Sequence, residues 1–206
     1  MRNIAVGRTA VSCPAGMTDP IDVFRELFEQ ASQSCTEPDA MVLSTVDPDG
    51  RPSGRYVLLK GVDARGFVFY TNLESRKARA LRANPSAALC FYWPTIEKQV
   101  RIEGAVERVS DAEADAYFAT RPRQAQIGAW ASKQSAALEA REALDRRIAE
   151  LQTRFEGGIV PRPPFWSGFR VVPLSIEVWT RDPARLHVRD HYERDGDRWV
   201  RTLLYP

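Results

Sequence analysis

Short apolar or β-branched segments, each closed by a turn signal, recur along most of this chain and constrain its fold more than any other feature. Met41 to Val46 reads as a strand and stops at Asp47-Pro48-Asp49-Gly50, residue types that favour a tight turn. Arg55 to Leu59 and Phe67 to Thr71 read as further strands, joined around Asp63-Ala64-Arg65-Gly66. Ala87 to Trp93 and Gln99 to Val106 follow. Late strands are expected at Phe169–Val172, Ile176–Trp179, Leu186–Tyr192 and Trp199–Leu203, with Asp195-Gly196 turning the final pair. Strands this short and this closely spaced suit an antiparallel sheet, because parallel pairing would need a long crossover between each pair.

Helical periodicity interrupts the strands. Asp19-Pro20 is an N-cap followed by proline, and Ile21, Phe24, Leu27, Phe28 and Ala31 then recur on one face. Ser75 opens a short helix through about Ala83, closed by Asn84-Pro85. Ser110 and Glu113 form a capping box ahead of a helix carrying Tyr117 and Phe118. Leu144, Ile148, Leu151 and Phe155 mark a longer amphipathic helix. The pattern predicts a mainly β, α+β chain: an antiparallel β-barrel decorated by helices. Residues 1–18 lack periodicity and are expected to form a flexible arm, leaving residues 19–206 as one domain.

Composition removes several function classes. With 206 residues, 44% hydrophobic and 27% charged, the chain has an ordinary globular balance. Its apolar runs are too short to cross a bilayer, and Ile4-Ala5-Val6 is too short for a signal-peptide core, so a cytoplasmic location without membrane partners is expected. A net charge of +2 gives no electrostatic case for nucleic acid. Cys13, Cys35 and Cys90 show no paired spacing, and His187 and His191 lie close together at one end, so no metal site is expected.

Three segments could carry chemistry. In Tyr70-Thr71-Asn72-Leu73-Glu74-Ser75-Arg76-Lys77, a strand runs through a loop into a helix that opens with two cations, an arrangement suited to phosphate. The same cations could be a solvated helix face, although their position opposes the helix dipole. Tyr117 and Arg121 stand four apart and could hold a second anion, or be a half-buried aromatic and a surface cation. Pro122 should push Arg121 out of helical geometry. Arg185, His187 and Arg189 would share one face of a strand, either as a functional row or as an exposed edge. Ser135, after Gln134, is a plausible helix cap, and Trp179 on these grounds is core.

Assembled in order, Arg55-Tyr-Val-Leu-Leu-Lys60, Tyr70 to Lys77, Gln126-Ile-Gly-Ala-Trp130, Lys133-Gln-Ser135 and Arg185-Leu-His187 resemble the pyridoxamine/pyridoxine 5'-phosphate oxidase family. The resemblance runs from about Asp19 to Pro206. It implies a split β-barrel homodimer with FMN bound between subunits. It also implies FMN contacts from Arg55, Lys60, Tyr70, Thr71, Arg76, Lys77, Gln99, Gln134, Ser135, Trp179 and Arg189. Substrate contacts would come from Lys60, Tyr117, Arg121, Arg185 and His187, with Arg185 and His187 orienting the reacting ring. The implied reaction moves hydride from substrate C4′ to flavin N5, and O2 reoxidises the flavin to give pyridoxal 5'-phosphate and hydrogen peroxide.

Arg55 and Lys60 have opposite parity on one strand, so they should serve different parts of the site unless a bulge intervenes. Trp179, Arg189 and Gln134 are expected to reach a flavin held by the other subunit's Arg76 and Lys77. Some family positions differ: Ala125 stands where a serine usually touches the substrate phosphate, and Val188 replaces an aspartate. Two other readings of these motifs are a divergent oxidase of the phenazine-pathway kind and a flavin-binding split barrel without turnover. Retention of Lys60, Tyr117, Arg121, Arg185 and His187 favours the phosphorylated-vitamer oxidase.

Overall fold

The structure, a computed structural model, describes residues 5–6 and 19–206. The expected arm, residues 1–18, lies outside the described residues except for β1 (Ala5–Val6), whose backbone pairs in parallel with Gly61–Val62. Helix α1 (Pro20–Ser34) starts where the sequence signals it: the Asp19 carboxylate accepts from the Ile21 N–H at 2.9 Å, and Ile21, Phe24, Leu27 and Ala31 are buried. Its Phe24 packs edge-on against Phe67 and Phe91 in the main core.

Strands β2 (Ala40–Val46), β3 (Pro52–Leu58), β4 (Gly61–Asp63) and β5 (Gly66–Asn72) come before helix α2 (Arg76–Ala83). Strands β6 (Ser86–Trp93) and β7 (Lys98–Arg108) lead to three helices, α3 (Asp111–Thr120), α4 (Arg123–Ala131) and α5 (Arg141–Arg154). Strands β8 (Trp166–Thr180), β9 (Val188–Asp195) and β10 (Arg198–Leu204) complete the chain. The sheet order is β1-β4-β5-β8-β7-β6-β2-β3, with β9 on β8 and β10 on β9.

The two ends of that order are covalently continuous. Between β3 and β4 the chain steps from one sheet edge to the other: Leu59 N–H donates to the Asp39 carbonyl and Lys60 N–H to the Val68 carbonyl, both at 2.8 Å. This step curls the sheet into a barrel around Met41, Leu43, Leu89, Val100, Ile102 and Val171. It also resolves the parity of Arg55 and Lys60, since the strand breaks between them.

One expectation is corrected and one element is added. The strands expected at 169–172 and 176–179 are one strand, β8, which runs through Pro173. Proline is tolerated there because the β7–β8 register shifts between Glu103 and Gly104, and a bulge does not need that N–H. A separate helix, α4, follows Pro122; proline excludes Arg121 from helical geometry but suits a helix start. The Gly196 turn between β9 and β10 is as expected, with φ at +60°. No helix among the described residues is long and apolar enough to cross a membrane.

The bulge depends on Gly104, where an added Cβ would lie 2.0 Å from the Val172 carbonyl oxygen. Gly104→Ala should therefore destabilise the fold by about 1–3 kcal/mol or more, read as a lower urea midpoint. An unchanged midpoint would mean that the bulge relaxes freely.

Candidate active site

The corner from β5 to α2 is held by short side chains. Asn72 Oδ1 accepts from the Glu74 N–H at 2.7 Å, which turns the chain, and the Ser75 hydroxyl caps α2. Lys77 then folds back over the corner. Its Nζ donates to Thr71 Oγ1 at 3.1 Å and to Gln134 Oε1 at 2.9 Å, and Thr71 Oγ1 donates to the same Gln134 oxygen. Ser135, held at φ +72°, accepts from the Arg76 N–H at 3.2 Å. Residues far apart in sequence thus meet at one helix N-terminus.

The charges around this corner differ in their partners. The Arg76 guanidinium is paired with Asp47 at 2.5 Å. Arg55 instead donates to the Leu43 carbonyl, Thr45 Oγ1 and Ser53 Oγ, and burial together with Arg76 lowers its pKa. Burial, and then the nearby Arg55, pull the Lys77 ammonium down to about 8. Neither Arg55 nor Lys77 has a carboxylate at ion-pair distance among the described residues. Clustered cations held by neutral oxygens at a helix start are suited to a phosphate.

Beside the corner lies a cavity of about 310 Å³, whose wall includes Lys60, Tyr70, Lys77, Tyr117, Arg121 and Trp166. Tyr70 stacks on Tyr117 with ring centroids 4.0 Å apart and on Trp166 at 5.2 Å. Burial, followed by Glu113 and Tyr117, raises the Tyr70 phenol to about 12, so it stays neutral. Arg121 leaves α3 in extended geometry, as Pro122 requires, and its guanidinium lies 4.8 Å over the Trp166 ring. Arg121 Nη1 is buried with no hydrogen-bond partner among the described residues, and burial lowers the pKa of the group. An orphaned guanidinium nitrogen at a cavity wall fits an oxyanion that the protein itself does not supply. Lys60 donates to Asp39 at 2.7 Å and keeps two donors for a ligand. Ala125 sits in the first turn of α4 and is not part of the cavity wall.

Gln99, Trp179, Arg185, His187 and Arg189 do not line this cavity. They form a second group. Gln99, Trp179 and Arg189 are cross-strand neighbours on β7, β8 and β9. Arg189 is paired with the buried Glu177 at 2.9 Å, and the His187 ring lies 4.5 Å from Trp179.

The expected strand face of Arg185, His187 and Arg189 is corrected. β9 begins only at Val188, Arg185 takes φ +64°, and His187 Nδ1 accepts from the Asp182 N–H. The Asp182 turn consumes the residues that the alternation assigned to a strand. The expected grouping of Gln134 with Trp179 and Arg189 is also corrected, because Gln134 bonds Lys77 of its own chain. Sequence reasoning missed Asp39, Asp47, Glu177 and Trp166. Asp47 reads as a turn residue, and nothing separates Trp166 from an ordinary core aromatic.

The depressed Lys77 pKa has a sign that can be tested. An unfolded lysine would hold its proton up to 10.5, so burying charged Lys77 opposes folding below about 8, and this opposition fades as pH rises from about 8 to 10.5. A bound phosphate dianion favours the charged form and reverses the preference. Affinity for a phosphomonoester ligand, measured by titration calorimetry, should be level between about pH 7 and about pH 8 and weaken above it, with the dependence lost in Lys77→Met. A flat wild-type profile between about pH 7 and about pH 9.5 would place the anion elsewhere.

Comparison with known proteins identifies the family. A family model described as pyridoxamine 5'-phosphate oxidase matches residues 27–155, and one described as the pyridoxine 5'-phosphate oxidase C-terminal dimerisation region matches residues 166–206. The chain is 59% identical over 189 residues to a pyridoxine/pyridoxamine 5'-phosphate oxidase of Myxococcus xanthus, covering 91% of this chain and 92% of the relative. A protein of the same description from Rubrobacter xylanophilus is 58% identical, with 91% and 87% covered. Among solved structures, PhzG from Burkholderia lata 383, in complex with tetrahydrophenazine-1-carboxylic acid, matches with a TM-score of 0.88 at 34% identity, covering 97% of this chain and 100% of that one. On the family models and the identity to these relatives, the chain belongs to the pyridoxamine 5'-phosphate oxidase family.

Proposed function

We propose that the protein is an FMN-dependent pyridoxine/pyridoxamine 5'-phosphate oxidase that works as a homodimer. The observation that carries the reading is the pair of cation groups on one cavity. Lys77 lies on its wall at the α2 start, with Arg55 nearby, and Lys60 and Arg121 lie on the same wall with the stacked Tyr70 and Tyr117. Two phosphate-bearing partners, a mononucleotide cofactor and a phosphorylated substrate, would use both.

The chemistry supplied by bound FMN is acceptance of hydride from the substrate's C4′ carbon, with O2 as final acceptor and hydrogen peroxide as by-product. In this reading Arg55, Arg76, Lys77, Thr71, Gln134 and Ser135 hold the FMN phosphate, and Tyr70 closes that side of the cavity. Lys60, Tyr117 and Arg121 hold the substrate phosphate. Arg185 and His187 orient the substrate ring, and Gln99, Trp179 and Arg189 contact the flavin from the second subunit. Support for the second copy comes from the separation of these residues from their own chain's cavity, from the family match of residues 166–206, and from exposed Leu203 and Leu204 on β10. The chain then contributes position and charge, and the residues offer no strong acid–base dyad.

The likeness to PhzG gives a second reading, oxidation of a different reduced ring, but the vitamer oxidases are closer in sequence at 58–59% against 34% identity. One incubation separates them. Purified protein should be yellow, release FMN on heating, and convert pyridoxamine 5'-phosphate, O2 and water to pyridoxal 5'-phosphate, ammonia and hydrogen peroxide. Bound FMN without turnover of that substrate would favour the second reading.

Arg121→Ala removes a charged hydrogen bond worth ~1.5–3 kcal/mol, so KM should rise roughly ten- to hundredfold with flavin content unchanged. Lys77→Ala should lose flavin first. Unchanged KM in Arg121→Ala would overturn the phosphate-clamp assignment.

A further inference from the structure

Arg170 is 2% exposed yet lies outside the cavity just described. It projects from β8 and meets three carboxylates: Glu113 at 2.7 Å, Glu107 at 3.3 Å and Asp63 at 3.5 Å. A buried ion cluster of this kind adds little net stability over an apolar replacement, because desolvation offsets most of its attraction. Its geometry points to another role.

Trp166, Gly168 and Arg170 alternate along β8 and share one face, opposite the core face of Phe169 and Val171. On α3, Glu113 and Tyr117 stand four apart and share one helix stripe, and Arg121 follows at the extended C-cap. The two stripes meet in register. Glu113 is bonded to Arg170, and the Arg121 guanidinium lies over Trp166. Between them Tyr117 stacks on Tyr70, whose ring occupies the space over Gly168: a Cβ there would come within 2.8 Å of it. Of the three contacts, the Glu113–Arg170 pair alone is a charged hydrogen bond, and it fixes α3 along β8 together with Arg162, which bonds Asp111 and Asp115 on α3 and the Trp166 carbonyl on β8.

We propose that the Arg170–Glu113 pair is a positioning device that sets the placement of Tyr117 and Arg121, and through them the affinity for the phosphate end of the substrate. This rests on the reading that Tyr117 and Arg121 hold that phosphate. Asp63 on β4 and Glu107 on β7 complete the anchor by fixing Arg170 itself from two other strands. The pair lies off the wall of the first cavity, beside a neighbouring one that shares Lys60, Tyr70 and Tyr117 with it, and its proposed effect runs through the helix.

The test uses the FMN-loaded enzyme and two variants. Glu113→Gln keeps a hydrogen-bonding side chain and leaves Arg170 paired with Asp63 and Glu107; Arg170→Lys keeps the charge but shortens the reach. KM for pyridoxamine 5'-phosphate should rise ~tenfold in each, with kcat within about twofold and FMN content unchanged. Binding of pyridoxal 5'-phosphate, followed by tryptophan fluorescence, should weaken in parallel. Because part of the effect travels through Arg121, Glu113→Gln should raise KM by less in an Arg121→Ala background than in the wild type.

Wild-type KM in Glu113→Gln, or a full additive rise on top of Arg121→Ala, would overturn the proposal. If Arg170→Lys does not fold, Glu113→Gln alone decides. Arg121→Ala separates the two levels of the argument: raised KM there with normal KM in Glu113→Gln sinks the positioning role alone, whereas normal KM in Arg121→Ala sinks the phosphate clamp beneath it.

Discussion

Strand β8 pairs with β7 along one edge, while on its other edge Trp166–Val171 pair with β5 and Ser175–Thr180 pair with β9. A single strand can serve two neighbours on one side only if it is long and bends between them. The bend is supplied where Pro173 faces Gly104 at the register shift, with Val172 close against the glycine. The first half of β8 carries the stripe under α3 and so shapes the cavity. The second half carries Glu177 and Trp179, which organise the group around Arg189. Both halves of the proposed site therefore depend on one strand's continuity.

Charge is distributed over this frame by need. Most of the buried or half-buried cations away from the cavity have carboxylate partners: Arg170 with three, Arg162 with Asp111 and Asp115, Arg189 with Glu177. At the cavity the pattern changes. Lys77 and Arg55 make do with hydroxyl, amide and carbonyl oxygens, and Arg121 leaves one nitrogen unbonded. Half-burying a cation without a counterion is unfavourable, and it lowers the pKa of all three groups. Such an arrangement persists where a ligand supplies the missing charge, so Lys77, Arg55 and Arg121 mark the site although Lys60 and Arg76 beside them are paired with Asp39 and Asp47.

Local chemistry was enough to read much of the fold. The Asp19, Ser75 and Ser110 caps, the Gly196 turn and the strand around Tyr70 each depend on residues a few positions apart, and each formed where the chain indicated. The same holds for the effect of Pro122 on Arg121, a steric consequence of the next residue alone. The family motifs added a set of residues expected to serve one cofactor, Tyr70, Thr71, Arg76, Lys77, Gln134 and Ser135 among them.

What the sequence by itself determined was therefore the local conformations, the antiparallel barrel class and the family. Tertiary structure alone decided that Arg185 and His187 leave the strand, that Gln134 serves its own chain's Lys77, that β8 is continuous, and that Arg170 anchors α3. The reason is separation along the chain. Gln134 bonds Thr71 across 63 positions, and Arg170 reaches Asp63 across 107. Alternation and capping report on a few neighbouring residues, whereas these contacts arise only once the barrel has closed and brought distant strands and helices face to face.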